Sequence, residues 1–155
     1  MTYHELITGA GAALGIAGMT PDDEGDVTIG DESFEIVIRH DAEQNRVLVQ
    51  GQVCPVPENG GAGLYRMLLA ANFPAKEMKG AALAVDDGAV FLCRSDRVEG
   101  LTVEVFTSLL QDFVDALARF RDDVEAFVRL GEELGGPAAA PSAAPAGDPE
   151  MIIRG

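Results

Sequence analysis

Between Leu64 and Phe73 the chain reads LYRMLLAANF, and what covers this stretch decides the fold. As a helix it carries one charge, Arg66, with apolar residues on nearly every side. A helix at the surface of a globular protein needs an apolar stripe on one side only. Stepped at roughly 100° per residue, Leu64, Met67, Leu68 and Ala71 form one arc suited to packing on a sheet, while Tyr65, Leu69, Asn72 and Phe73 form a second. The second arc is either buried inside the same domain or covered by the same helix of another subunit across a two-fold axis. A separate long amphipathic helix already supplies one cover for the sheet, so a homodimer is the expectation.

Upstream of this stretch the pattern changes from helix to strand. Thr2 to Ala17 places Leu6, Ala10, Ala13, Leu14 and Ala17 at helical spacing. Gly9, Gly11 and Gly15 weaken that helix in isolation, so tertiary packing must hold it. TPDDEGD is a polar loop. DVTIG and SFEIVIRH then read as strands around a tight turn, and RVLVQGQV follows the turn DAEQN as a third. In the second strand Phe34, Ile36 and Ile38 share one face, with Glu35, Val37 and Arg39 on the other. In the third, Val47, Val49 and Val53 alternate with Leu48, Gln50 and Gln52. The prolines and glycines of CPVPENGGAG should end it.

Downstream, GAALAV and AVFLCR flank Asp87-Gly88, a two-residue hairpin signal because both central residues must accept positive φ. From Thr102 to about Leu130, Phe106, Leu109, Leu110, Phe113, Leu117, Phe120, Val124, Phe127 and Val128 form one apolar stripe of a long helix. The order is α-β-β-β-α-β-β-α. Most connections are too short for crossovers, so the class is α+β with a twisted, mainly antiparallel sheet covered by helices. Residues 1–134 form that domain. Residues 135–155, rich in Pro and Ala, form a tail ending in the apolar cluster MIIRG.

Composition narrows the function. The net charge is -15 over 155 residues, which opposes binding to nucleic acid or anionic membranes, since both need basic patches. Such acidity suits solubility, or capture of a basic or aggregation-prone partner. No apolar run reaches the length of a membrane-spanning helix, and MTYHELITGAG lacks the basic and apolar regions of a signal peptide. Two separated cysteines, Cys54 and Cys93, fit free thiols in a reduced, cytoplasmic setting. GAGAALG has Leu14 where a dinucleotide fingerprint needs its third glycine, and no strand precedes it. Asp86 and Asp87 are turn chemistry rather than an acid/base pair. A thiol paired with His40 remains conceivable, whereas the scattered Cys and His do not space as a zinc site and the acidic residues show no calcium-loop pattern. No catalytic residue, metal or cofactor is expected.

Three strings, LLAANF, KGAALAVDDGAVFLCR and LTVEVFTSLLQDFVDALARFRDDV, carry a resemblance. They are similar to class I type III secretion chaperones of the Tir-chaperone-like family. There a helix ending Leu-Leu-x-Ala-Asn precedes a hairpin with an Asp-x-Gly-type turn and a long C-terminal helix. Leu68 to Asn72, the Asp87-Gly88 turn, and Leu109, Leu110, Phe113 and Val114 match that pattern. The resemblance implies a small acidic bacterial homodimer in the cytoplasm. It would bind the N-terminal segment of a secreted effector and keep it extended without ATP, with the secretion machinery as a further partner. It implies a dimer interface at Leu64, Tyr65, Leu69, Phe73, Leu83 and Val85. It places effector binding at Leu6, Ile7, Leu14, Ile16, Phe34, Ile36, Ile38, Val47 and Val49. Two features depart from the family: the glycine-rich first helix and the tail. Met151, Ile152 and Ile153 could add to a sheet edge, their own or a neighbour's, or could be inert. An adaptor that binds a regulator and a small thiol enzyme are the alternative functions.

Overall fold

The computed structural model describes residues 1–31, 34–58, 61–73 and 78–133. Its elements are α1 (Tyr3–Leu14), β1 (Val27–Asp31), β2 (Phe34–Asp41), β3 (Arg46–Pro55), α2 (Gly61–Ala71), β4 (Ala81–Asp86), β5 (Ala89–Arg97) and α3 (Val103–Glu133). The order is the expected one. The five strands form a single antiparallel sheet in the order β1-β2-β3-β5-β4, so β1 and β4 are its edges.

The alternation along the strands sorts the sheet into two unlike faces. Ile36, Ile38, Val47, Val49, Leu83, Val90 and Leu92 are buried on one of them. All three α-helices bury their apolar residues in the same cluster: Leu6 and Ile7 of α1, Leu64 and Leu68 of α2, and Phe106, Leu110, Phe113, Leu117 and Val124 of α3. The opposite face carries Glu35, Val37, Arg39, Leu48, Gln50, Phe91 and Cys93, each half-buried or exposed.

Two glycines set how closely the layers approach. A Cβ on Gly51 of β3 would lie 2.3 Å from Leu117 Cδ2, so α3 rests on bare strand backbone at that point. A Cβ on Gly9 would lie 2.6 Å from Val103 Cγ2, where α1 meets the start of α3. Gly9, one of the glycines that weaken α1 as an isolated helix, therefore forms part of its docking surface.

Several boundaries differ from the sequence reading. α1 stops at Leu14, not Ala17, because Gly15 takes the left-handed C-cap conformation (φ 71°). At its other end Thr2 and Glu5 form a reciprocal capping box. β3 runs on to Pro55, since an irregularity between Gln52 and Cys54 lets Cys54 pair with Val90 and Pro55 with Ala89. α2 ends at Ala71, which places Phe73 beyond the helix. The β4–β5 turn is as read, with φ 42° at Asp87 and 73° at Gly88. α3 spans 31 residues, about 46 Å at 1.5 Å per residue, and outreaches strands of at most about 33 Å.

Tyr3 ties α1 to the sheet. Its hydroxyl donates to Gly25 O at 2.9 Å, and its ring stacks on His40 with centroids 4.5 Å apart. Burial, with Asp26 and Asp22 nearby, pushes its pKa up to about 12. A raised native pKa contributes stability below the unfolded value of 10 that is lost as pH rises through 12. Tyr3→Phe should therefore flatten the fall in urea midpoint between pH 9 and pH 12 relative to wild type; parallel declines would contradict this role.

Candidate functional site

α2 leaves β3 at the Pro/Gly-rich segment and runs beside edge strand β4. Its inner arc is as expected, with Leu64 and Leu68 buried and Met67 and Ala71 half-buried. The outer arc is not covered by the described residues. Tyr65 is 41% exposed, Leu69 71% and Phe73 76%, and Val85 of β4 is 45% exposed. Burial by the described residues, the first of the two explanations for this helix, is not what the structure has. Of the six residues assigned to a dimer interface, these four offer apolar surface. Leu64 and Leu83 do not: both point into the core of their own chain, 0% and 7% exposed.

Asn72 joins this patch to the sheet. Its side-chain Nδ2 donates to Leu83 O at 2.8 Å, and its Oδ1 accepts from Leu83 N–H at 2.7 Å. The amide thus occupies the outward backbone groups of Leu83 as a neighbouring strand would, closing the edge locally. This explains why the apolar string ends in Asn, which sequence periodicity had assigned to the second arc.

The larger opening lies on the helix-free face. A groove of about 1250 Å³ runs from Val37, Gln50, Phe91 and Cys93 to the C-terminal turns of α3 at Arg121, Val128 and Arg129. Asp86 and Asp87 of the β4–β5 hairpin reach it as well. The Arg121 guanidinium sits 5.5 Å from the Phe34 ring, fixing α3 against the start of β2.

The residues assigned to effector binding lie elsewhere. Leu6, Ile7, Ile36, Ile38, Val47 and Val49 are core residues, between 0% and 3% exposed, so they present no surface to a partner. Leu14, Ile16 and Phe34 are partly buried against that core. The reason is general: the most apolar face of each strand is the one the helices cover. Val37, Phe91 and Cys93 were missed: Val37 shares its strand face with Glu35 and Arg39, whereas Phe91 and Cys93 sit in the apolar run AVFLC, where alternation does not mark which side is covered. Their signal was a polar-side face carrying more apolar groups than full exposure would favour. Met151, Ile152 and Ile153 lie outside the described residues.

The two thiols both line the groove. Burial pushes each pKa up, with Arg121 opposing this at Cys54 and a contact from Gln50 opposing it at Cys93. Neither is an activated thiolate. His40 pairs with Val47, seven positions from Cys54 along β3, which is about 23 Å. It faces the core, whereas Cys93 faces the groove. No thiol–imidazole pair forms. Among the described residues no three His, Cys, Asp or Glu side chains gather as metal ligands, and no helix is long and apolar enough to cross a membrane.

The model of the Tir chaperone protein (CesT) family matches residues 5–121. No curated protein sequence matches the chain. The fold is similar to that in the ExsC–ExsE complex, with a TM-score of 0.66 and 22% identity over 77% of this chain and 90% of that one. It is similar to that in the HopA1–SchA chaperone–effector complex, with a TM-score of 0.65 and 20% identity over 77% and 93% of the two chains. The Yersinia pestis type III secretion chaperone SycH, in complex with a fragment of YscM2, gives a TM-score of 0.61 and 16% identity over 77% and 99%.

Replacing Asn72 by Ala removes both bonds to Leu83 and leaves part-buried backbone groups unpaired, a cost of about 1–3 kcal/mol. Urea unfolding of Asn72→Ala should show that loss, with amide exchange at Leu83 accelerating most. Unchanged stability and exchange would show that the pairing is dispensable.

Proposed function

Because the chain belongs to the Tir chaperone protein (CesT) family, we propose that it is a cytoplasmic chaperone for a type III secreted effector. It binds the effector's N-terminal segment, keeps it extended and competent for secretion without ATP, and performs no catalysis. The secretion machinery is its further partner. The observation that carries the reading is the open groove on the helix-free sheet face, lined by Val37, Phe91, Cys93 and Val128. It is an open surface of mixed apolar and charged character, suited to a peptide segment rather than a compact ligand. The chaperone–effector pairing in the HopA1–SchA complex supports it.

The second surface is proposed to be the homodimer interface, built from Tyr65, Leu69, Phe73 and Val85. Four large apolar side chains around one helix and one edge strand favour an isologous contact, in which the same patch meets its copy.

Two experiments address these readings separately. Light scattering at micromolar concentration should give twice the chain mass of 16.3 kDa, and Leu69→Asp with Phe73→Asp should return it to the single-chain mass. A wild-type monomer would sink the dimer. Co-expression with candidate effectors should co-purify a complex of two chaperones and one effector. Val37→Asp or Phe91→Asp should abolish that complex while leaving the chain mass in solution unchanged. Retention of the effector by both variants would move the binding site away from the groove.

A further inference from the structure

The last turns of α3 form part of the groove, and the chain leaves them at its rim. Arg121, Val128 and Arg129 line the groove, and the helix ends at Glu133, about one turn beyond Arg129. Another 22 residues follow, and their large apolar side chains after Leu134 are Met151, Ile152 and Ile153 alone. With 18 residues from Glu133 to Met151, a coil of that length spans about 23 Å, and an extended chain about 60 Å. Since α3 itself lines the groove, the apolar triplet reaches it in either case.

The charges also find partners. Asp148 and Glu150 precede the triplet and Arg154 follows it. The groove presents Arg121 and Arg129 from α3, where the tail departs, and Asp86 and Asp87 from the β4–β5 hairpin. Glu125 stands between the two arginines on α3, and Glu35 and Arg39 also line the groove. The acidic residues before the triplet thus have Arg121, Arg129 and Arg39 as partners and Arg154 has Asp86 and Asp87, with Val37, Phe91 and Cys93 as the apolar lining.

We propose that Met151–Ile153 dock in the groove of their own chain and must be displaced before a partner segment binds there. As regulation of the chaperone's peptide site, this rests on the effector-binding reading; as tail docking, it stands on the groove alone. The tether raises the local concentration of the segment to about 1 mM, so an intrinsic affinity of about 0.1 mM already holds it docked about ten times as often as free.

Cys93 lies in the groove and reports its occupancy. Alkylation of Cys93 by iodoacetamide, followed by mass spectrometry on the full chain, should be about tenfold faster in a Met151→Asp, Ile152→Asp, Ile153→Asp variant than in wild type. A synthetic peptide of residues 146–155 at millimolar concentration should restore slow reaction in the variant, and a scrambled peptide should not. Equal rates in the two chains would overturn the proposal. Protection that grows with protein concentration would overturn it too, because the occupant would then be a second copy. An effector that co-purifies while Cys93 reacts equally in both chains removes the tail from the groove and leaves the effector reading intact. Protection by the tail in a chain with which no effector co-purifies supports docking and counts against the effector reading.

Discussion

Leu117 lies against the bare backbone of Gly51, and the layering of helices on one face of the sheet depends on that contact. It seats α3 directly on the central strand β3, with a Cβ at Gly51 falling only 2.3 Å from Leu117 Cδ2. α3 then fills one face of the sheet from Phe106 to Val124, and α1 packs beside it through Gly9. With the helices on the same side, no described helix covers the other face. The helix also outreaches the strands, so its last turns stand at the end of the sheet and help enclose the groove.

The second surface arises from a different constraint. β4 is an edge strand, and edges offer unpaired backbone groups to any passing strand. Asn72 closes this edge at Leu83 with a two-way amide pairing. That pairing fixes the end of α2 beside β4 and brings Leu69, Phe73 and Val85 into one exposed apolar region. The groove and this patch thus occupy different parts of the molecule, so the two proposed contacts would not compete for one surface.

The sites were less legible than the fold. Strand alternation, the Asp87-Gly88 turn and the stripe of α3 are local patterns, and they identified the element order without tertiary information. Six of the nine residues assigned to effector binding lie in the core, because apolar alternation marks burial, and burial and recognition use the same residue types. Ile36, Ile38, Val47 and Val49 have the pattern of a binding strip and the position of a core. Val37 lies on the other face between Glu35 and Arg39, and Phe91 and Cys93 lie there within an apolar run.

The two arcs of LYRMLLAANF, the antiparallel class and the acidic, motif-poor character of the chain were all determined by sequence alone, since each follows from the period of a helix or strand or from composition. That the described residues leave the second arc exposed, which sheet face the helices leave open, and that Asn72 serves the edge of β4 were decided only in the tertiary structure. Those outcomes depend on contacts between residues far apart in the chain, such as Gly51 with Leu117. Periodicity reports that a face is apolar; only packing decides what covers it.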